Sequence, residues 1–359
     1  MPWRLALGLF AILMGCSAKT GESQPITRPG PRVVAWEMRP LPVGQVNLLA
    51  MADWGTDTHR QRDVGWTLAE YVEATPVQFH GLLSPGDNIY NHLKGLDDIQ
   101  WQRVFEDMYD SRVNMPFYCV LGNHDYDWDN DIIQLAYARR NPHSRFKLPA
   151  KWYRLDFPEK NPIVTCLMLD SNRHKLGNAE WYEQLQWLKG ELARKDRGRW
   201  TIVSAHHPLF SNGLHGDVSL LQQQWGPLLR QYKVDFYVSG HDHNLQHLEV
   251  RDWPTSFLIS GGGGRSRSGM RRDDRGPFAR KLYGFVHLTF TPERAHVRYI
   301  DGLTGQAVHE FERWPDGKVN VLSTLGVDKA DPNLKAQKPF DERDTGEYAP
   351  SMDPEPSKK

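Results

Sequence analysis

Cysteine is scarce in this chain of 359 residues, where Cys16, Cys119 and Cys166 are the three examples. Three cysteines do not make a disulfide framework. Because Cys119 and Cys166 stand in apolar, strand-like runs, we interpret them as small buried hydrophobic side chains rather than as a bonded pair. An exported location would permit a bond between them without requiring one.

The chain also lacks an excess of charge of either sign, since Lys and Arg total 44 and Asp and Glu total 44. This balance gives no general attraction to nucleic acid or to an anionic membrane, and we predict no nucleic-acid partner. Aromatic residues at 11% and charged residues at 25% are typical of a folded globular protein. The length allows one large α/β domain or two small ones.

No segment reaches the length of a membrane-spanning helix. The apolar run from Leu5 to Met14 fits the core of a signal peptide, and the LMGC motif that ends at Cys16 resembles the bacterial lipoprotein signal. The alternative is a plain secretory signal. We predict a lipoprotein signal peptide at 1–16 and a flexible tether at 17–42, with export to the bacterial cell envelope. The protein would face the periplasm or the exterior, with a lipid anchor as its only membrane attachment.

From residue 45 to about 314, short apolar runs alternate with amphipathic helical patterns at 62–74, 179–195 and 217–232, which predicts an α/β sheet. The last third changes character, because TSFLIS, YGFVHLTF, AHVRYI and AVHEFERW have the alternation of an antiparallel meander. The end of the chain is rich in Pro, Lys and Asp, and we predict a poorly ordered tail at 319–359.

Five apolar runs end abruptly in polar residues: VNLLAMAD, FHGLLSPGD, FYCVLGNHD, TIVSAHH and DFYVSGHDH. In α/β sheets, ligands bind beyond the carboxyl ends of the strands. The residues placed there are Asp53, Asp87, Tyr90, Asn123, His124, His206, His241 and His243. Carboxylate, phenol, amide and imidazole groups are ligands for hard to borderline metals. One such residue is usually a turn former, but five successive strand ends with ligand groups predict a metal site.

Taken in order, the motifs at Asp53, Asp87, Asn123, His206 and His241 resemble those of the purple acid phosphatases, within the calcineurin-like metallophosphoesterases. The small, tartrate-resistant type is the most similar, over roughly residues 45–314. The resemblance implies an α/β fold, a four-layer αββα sandwich of two mixed sheets, with the dimetal site at the strand carboxyl ends. The catalytic domain would be 43–318.

The resemblance implies a dinuclear metal centre, with Fe(III) as the first ion and divalent Fe, Zn or Mn as the second. The ligands would be Asp53, Tyr90 and His243 for the first metal, Asn123, His206 and His241 for the second, and Asp87 for both. A free phenol titrates near about pH 10, so a strong Lewis acid is needed to keep Tyr90 ionised at low pH. Tyr90 therefore favours Fe(III).

The same resemblance implies an acid phosphatase that hydrolyses monoesters of small phosphorylated substrates by in-line attack of a metal-bound hydroxide. His124 and His215 would be its catalytic residues, which bind the substrate and assist the leaving group, and Asn123 would also contact the substrate. We interpret Asp125 as the acceptor that orients His124. The side chains of His206 and His207, adjacent in the chain, are expected to point to opposite faces.

Other functions remain open from the sequence. A phosphodiesterase or nucleotidase of the same superfamily is the nearest alternative, and a non-catalytic, metal-binding surface lipoprotein is a more distant one. The glycine- and arginine-rich segment 261–275 either reaches a phosphorylated substrate or forms a mobile, solvated loop, and we favour the loop. The oligomeric state is left open.

Overall fold

The computed structural model describes residues 44–334, so the predicted signal peptide and tether, and residues 335–359, lie outside the described residues. The strands are β1 Val46–Ala50, β2 Gly81–Ser84, β3 Phe117–Cys119, β4 Phe146–Lys147, β5 Tyr153–Phe157, β6 Val164–Met168, β7 Trp200–Ser204, β8 Phe236–Ser239, β9 Leu245–Glu249, β10 Ser256–Ser260, β11 Phe278–Arg280, β12 Gly284–Phe290, β13 Ala295–Asp301, β14 Ala307–Arg313 and β15 Val319–Thr324. The helices are α1 His59–Ala74, α2 Asn130–Arg140, α3 Arg173–Ala193, α4 Ser219–Gln224 and α5 Gly226–Gln231, with a π-helical turn at Gln102–Glu106 and a 3-10 helix at His124–Asp129.

The strands form two mixed sheets. The first has eight strands in the order β15-β14-β13-β12-β1-β2-β3-β4, and the second has seven in the order β11-β9-β10-β8-β7-β6-β5. In the first sheet β1 to β4 run parallel, and in the second β6, β7, β8 and β10 run parallel. Because parallel neighbours end at the same edge, each sheet collects several carboxyl ends at one place.

The inner faces of the two sheets pack against each other, and helices cover their outer faces. Trp200 and Phe236 of the second sheet contact Phe290 of the first, with ring centroids 6.0 and 5.7 Å apart. Helix α1 buries one face on the first sheet through residues such as Val64 and Leu68. Helices α3, α4 and α5 cover the second sheet with their own apolar cluster. The layers therefore follow the order helix, sheet, sheet, helix, which confirms the predicted fold class.

The local sequence explains where α1 lies. Thr58 caps its amino end, since its side chain accepts a hydrogen bond from the backbone N–H of Gln61. Buried positions at Gln61, Val64, Leu68 and Tyr71 recur every three or four residues, which is the period of a helix with one apolar face. The helix ends at Ala74, before Thr75 and a proline that does not continue a helix.

Two predictions for the last third need correction. Strands β12 to β15 form an antiparallel meander, as predicted. TSFLIS does not belong to it, because it forms β10, which pairs parallel with β8 in the other sheet. The predicted boundary at residue 318 is wrong, because 319–324 pair with β14 and the described chain continues to 334. This edge strand, VNVLST, is largely exposed, and it lacks the continuous apolar run of a buried strand.

Both cysteines of the described chain are free and buried, which confirms their interpretation as small hydrophobic side chains. Within residues 44–334, no helix combines the length and the apolar character needed to cross a bilayer.

Candidate dimetal centre

The candidate site lies where the carboxyl ends of the two sheets meet. Asp53 follows β1, and Asp87 and Tyr90 follow β2 in the first sheet, which also supplies Asn123 after β3. The second sheet supplies His206 after β7 and the His241–His243 pair after β8. The structure brings together all seven side chains that the sequence predicts as metal ligands. They divide into two groups that share Asp87.

The backbone at this edge is held in an uncommon conformation. Asp53, Asp87 and His241 have φ angles of 63°, 53° and 69°, in the left-handed region that non-glycine residues seldom adopt. Gly122 shows how little room remains, because a Cβ atom on it would lie 2.2 Å from Asp87 Oδ1. Such conformations persist where surrounding structure fixes them, and they are concentrated at functional sites.

The first group consists of Asp53, Tyr90 and His243. The Tyr90 hydroxyl lies 3.2 Å from Asp53 Oδ1 and 3.4 Å from His243 Nε2. His243 Nε2 lies 3.6 Å from Asp53 Oδ1. Carboxylate oxygen, phenol oxygen and imidazole nitrogen thus face a common point.

The second group consists of Asn123, His206 and His241. Asn123 Oδ1 lies 2.9 Å from His206 Nε2 and 3.1 Å from His241 Nδ1, and the two ring nitrogens are 3.2 Å apart. Asp87 Oδ1 lies 3.5 Å from His206 Nε2, which connects this group to the carboxylates of the first.

The protonation of two imidazoles shows why these groups fit metal ions. His206 Nδ1 faces the carbonyl oxygen of Pro85 at 2.9 Å, and His243 Nδ1 faces that of Ser266 at 2.8 Å. A carbonyl only accepts, so in each neutral ring Nδ1 carries the hydrogen and Nε2 presents a lone pair. These lone pairs face the carboxylate oxygens of Asp87 and Asp53, which carry lone pairs of their own. A cation satisfies such a cluster, so the residues fit a dinuclear centre.

Burial keeps the imidazoles of the site neutral, as metal ligands must be. Burial, followed by the neighbouring histidines, lowers the pKa of His241 well below its usual value, and burial lowers the pKa of His243 to about 3. Burial also lowers the pKa of His206, although Asp87 opposes it.

Burial raises the pKa of two acidic ligands, Asp53 and Tyr90, and so favours their neutral forms as well. Burial and then the charge of Asp87 raise the pKa of Asp53 well above its usual value, since two close carboxylates disfavour each other's ionisation. Burial and then both carboxylates raise the pKa of Tyr90 in the same way. A positive ion is therefore needed for Asp53 and Tyr90 to be ionised together.

His124 lies at the rim of the centre. Its backbone N–H donates to Asp87 Oδ1 at 2.9 Å, and its ring lies 4.8 Å from the ring of Tyr90. Its Nδ1 lies 3.0 Å from Asp127 Oδ2. Burial acts to lower the pKa of His124, but Asp87 and Asp127 outweigh burial and raise it.

The predicted role of Asp125 is wrong. Its buried carboxylate accepts backbone N–H groups of Asn88, Ile89 and Gly122, at 2.8 to 3.1 Å, and so it fixes the loops rather than the His124 ring. In a 3-10 helix the side chains at i and i+3 lie above each other, which places Asp127 rather than Asp125 beside His124. The i+3 spacing agrees with this contact, but it identifies Asp127 only once the 3-10 conformation is known.

His215 lies over the second group, with its ring centroid 4.2 Å from that of His241. Its backbone N–H donates to Asp242 Oδ1 at 3.0 Å, and the other Asp242 oxygen accepts from the Ser211 hydroxyl at 2.5 Å. Asp242, between the two ligands of the last motif, thus positions the loop that carries His215.

His207 contradicts the expectation that it points away from His206. Both side chains have a ring nitrogen in a group with His241 whose ligand atoms lie within 4.8 Å of one another. Strand β7 ends at Ser204, so the alternation of a strand no longer applies to the two histidines. His207 Nδ1 lies 2.8 Å from the Ser171 hydroxyl. This contact holds the ring next to His206 and His241.

The interpretation of 261–275 as a solvated loop is wrong for its first half. Gly261 to Gly264 are buried, and Gly263 N–H donates to the carbonyl of Ala52 at 3.0 Å. Arg265 N–H donates to the carbonyl of Asp53, and Ser268 N–H to that of His243, both at 3.0 Å. The loop is therefore hydrogen-bonded to the backbone of two candidate ligands. Arg272, Asp273 and Asp274 are exposed, as expected.

Comparison with known proteins agrees with this geometry. The family described as calcineurin-like phosphoesterase matches residues 48–245. Purple acid phosphatase 4 of Arabidopsis thaliana is 32% identical over 291 residues, which cover 76% of this chain and 85% of the relative. Tartrate-resistant acid phosphatase type 5 of Homo sapiens is 30% identical over 289 residues, which cover 71% and 87%.

Solved structures show the same architecture. GAP50, the anchor in the inner membrane complex of Plasmodium, has a TM-score of 0.65 at 23% identity, over 81% of this chain and 93% of its own. The purple acid phosphatase PPD1 of yellow lupin (Lupinus luteus) has a TM-score of 0.56 at 16% identity, over 80% and 57%. At these identities the likeness bears on the fold alone.

Proposed function

Because this chain belongs to the calcineurin-like metallophosphoesterases, and within them to the purple acid phosphatases of the small, tartrate-resistant type, we propose that its seven converging side chains hold two metal ions for the hydrolysis of small phosphate monoesters. The chain is a phosphoric monoester hydrolase, as its relatives are. The observation that carries the detailed proposal is the convergence of acceptor atoms, 2.9 to 3.6 Å apart, from the ends of both sheets.

Asp53, Tyr90 and His243 would hold Fe(III), Asn123, His206 and His241 would hold divalent Fe, Zn or Mn, and Asp87 would contact both. When bound, such a pair of ions supplies Lewis-acid activation of water and of phosphate oxygens. The protein's own part is to hold neutral imidazoles and paired carboxylates at fixed positions before the substrate arrives.

His124 is the proposed proton donor to the leaving group. Asp127 accepts the hydrogen of its Nδ1 at 3.0 Å, a contact that fixes the orientation of the ring. The raised pKa of His124 favours the protonated ring, which a general acid requires. His215 lies over His241 on the opposite group, where it would contact the phosphate, and Asn123 lies between the two histidines of that group.

A turnover assay with a chromogenic phosphomonoester and its diester tests this function. We expect hydrolysis of the monoester, its loss after chelation, and its return when Fe and a divalent ion are restored. Preference for the diester would instead favour a phosphodiesterase. Metal binding without turnover of either compound would favour a non-catalytic surface protein and contradict the proposal.

Replacing Tyr90 with Phe tests the identity of the first ion. A phenolate bound to Fe(III) absorbs visible light, and Phe keeps the ring while removing the oxygen that lies 3.2 Å from Asp53. We expect the native protein to be coloured and Tyr90→Phe to lose the visible band, as measured by absorption spectroscopy with metal analysis. Tyr283→Phe is the control, because Tyr283 packs against Arg267, as Tyr90 packs against Arg265 of the same 261–275 loop, but it lies outside the ligand groups. A band retained in Tyr90→Phe contradicts the assignment.

The location of the protein is proposed from residues 1–16 alone. A lipid on Cys16 would hold the chain on a membrane of the bacterial envelope, because buried acyl methylenes supply membrane affinity without a spanning helix. We expect Cys16→Ala to move the protein from the membrane fraction to the soluble fraction of fractionated cells. Equal membrane recovery of both proteins would contradict the lipid anchor.

A further inference from the structure

The loop 261–275 carries five arginines, and four of them have polar partners. Arg267 donates to the carbonyl of Lys281, and Arg271 donates to that of Leu214. The carboxylate partners of the other two are Asp274 for Arg272 and Asp217 for Arg275. These contacts fix the shape of the loop and its attachment to neighbouring segments.

Arg265 differs from the other four. Its guanidinium carbon lies 4.8 Å from the ring centroid of Tyr90, and within residues 44–334 the guanidinium forms neither a hydrogen bond nor an ion pair. A guanidinium over an aromatic face keeps its N–H donors available, and their fork matches carboxylate and phosphate oxygens. An arginine held at a metal centre without an anionic partner is suited to bind an anion from solution.

The position of Arg265 is fixed from two sides. Its backbone N–H donates to the carbonyl of Asp53 at 3.0 Å, and the next residue, Ser266, accepts from His243 Nδ1 at 2.8 Å. The side chain is partly buried, so little freedom remains for it to leave the rim of the site. Arg265 is therefore placed in advance, which reduces the entropy lost when it binds an anion.

Tyr90 connects Arg265 to the leaving-group side of the centre. The same ring that contacts Arg265 lies 4.8 Å, centroid to centroid, from the ring of His124, the proposed proton donor. A leaving group that receives a proton from His124 therefore lies beside the aromatic ring that also contacts the Arg265 guanidinium.

We propose that Arg265 binds an anionic group carried by the leaving group, so that this chain prefers phosphate esters whose leaving group bears a carboxylate or a second phosphate. This inference rests on the proposed phosphatase function and adds a specificity-determining residue to it. Arg265 directly follows the four glycines of the segment, but the sequence does not show that this run brings it back to Asp53 and Tyr90.

The test compares phenyl phosphate with 4-carboxyphenyl phosphate, two aryl esters that differ by one carboxylate on the leaving group. The native enzyme is expected to show the higher kcat/KM for the carboxylated ester. Arg265→Gln is expected to lower the ratio of the two kcat/KM values about tenfold or more, the effect of losing one charge-assisted hydrogen bond. Arg265→Lys, which keeps the charge, should retain part of the preference. Salt should weaken the preference in the native enzyme and in Arg265→Lys, and it should leave the ratio of Arg265→Gln unchanged.

Arg267→Gln is the matched control, because Arg267 belongs to the same loop and lies 4.8 Å from the ring of Tyr283. It should leave the ratio unchanged. An unchanged ratio in Arg265→Gln, or an equal loss for both esters with loss of metal, would overturn the inference. Turnover of phenyl phosphate by the native enzyme tests the phosphatase function separately, so the two failures are distinguishable.

Discussion

Replacing Asp87 with Asn is expected to lower phosphatase activity by more than about 100-fold, beyond the range seen when an outer partner of a metal ligand is lost. Asp87 is the carboxylate common to both ligand groups, since it faces His206 in one and stands with Asp53 and His243 in the other. The substitution keeps the size of the side chain and removes the negative charge that would help to neutralise both ions, so both would be held less tightly.

Elemental analysis of Asp87→Asn should show that both metals are depleted, and the loss of turnover should follow the loss of metal. The control is Asp235→Asn, which removes another buried carboxylate, one that precedes β8 at the end of the strand opposite to the site. That variant is expected to retain its metal if it folds, which circular dichroism checks. Full metal content in Asp87→Asn would contradict the shared role of Asp87.

The second large effect is expected for His124→Ala, with a fall in kcat of about 100- to 10,000-fold, the range for loss of a general acid. The ring of His124 is absent from both ligand groups, so metal content and the visible spectrum should change little. The fall should be larger for an alkyl phosphate than for p-nitrophenyl phosphate, because a good leaving group departs without much help from a proton. Equal effects on the two substrates would contradict the role of a proton donor.

Asp127 provides a finer test through the pH profile. Its carboxylate helps to raise the pKa of His124, so Asp127→Asn lowers that pKa and the ring loses its proton at lower pH. The alkaline limb of the rate profile is therefore expected to move to lower pH. Asp129→Asn is the control, because Asp129 is an exposed carboxylate two residues beyond Asp127 and is not among the groups that chiefly shift the pKa of His124. An unmoved alkaline limb in Asp127→Asn would exclude Asp127 as the partner of His124.

The sequence was sufficient for the fold class and for the grouping of the seven candidate ligands. Each ligand follows a short apolar strand, and parallel strands bring their carboxyl ends to one edge by their geometry alone. The two histidines of GHDH therefore met the ligands of the four earlier motifs as predicted, although the set extends over 190 residues, from Asp53 to His243.

The sequence was insufficient where contacts depend on how loops pack. Asp125 and Asp127 both follow His124 within three positions, and only the 3-10 conformation decides which of them reaches its ring. The alternation of side chains along a strand did not apply to His207, because β7 ends at Ser204. Arg265 depends on a buried glycine run that brings the loop back to Asp53, a tertiary contact that no local pattern records.

The segment that follows β15 connects the carboxyl-terminal part of the chain to the loop beside the candidate metal site. Asp328 N–H donates to the carbonyl of Ala279, and Asp331 N–H donates to that of Met270, both at 2.8 Å. Met270 lies two residues beyond Ser268, whose N–H donates to the carbonyl of His243. A shortened protein that stops at the end of β14 would keep every candidate metal ligand. It would lose the backbone hydrogen bond that joins residue 331 to the 261–275 loop. We therefore expect proteolytic trimming of this end to loosen the loop at the metal site, although the two are far apart in sequence.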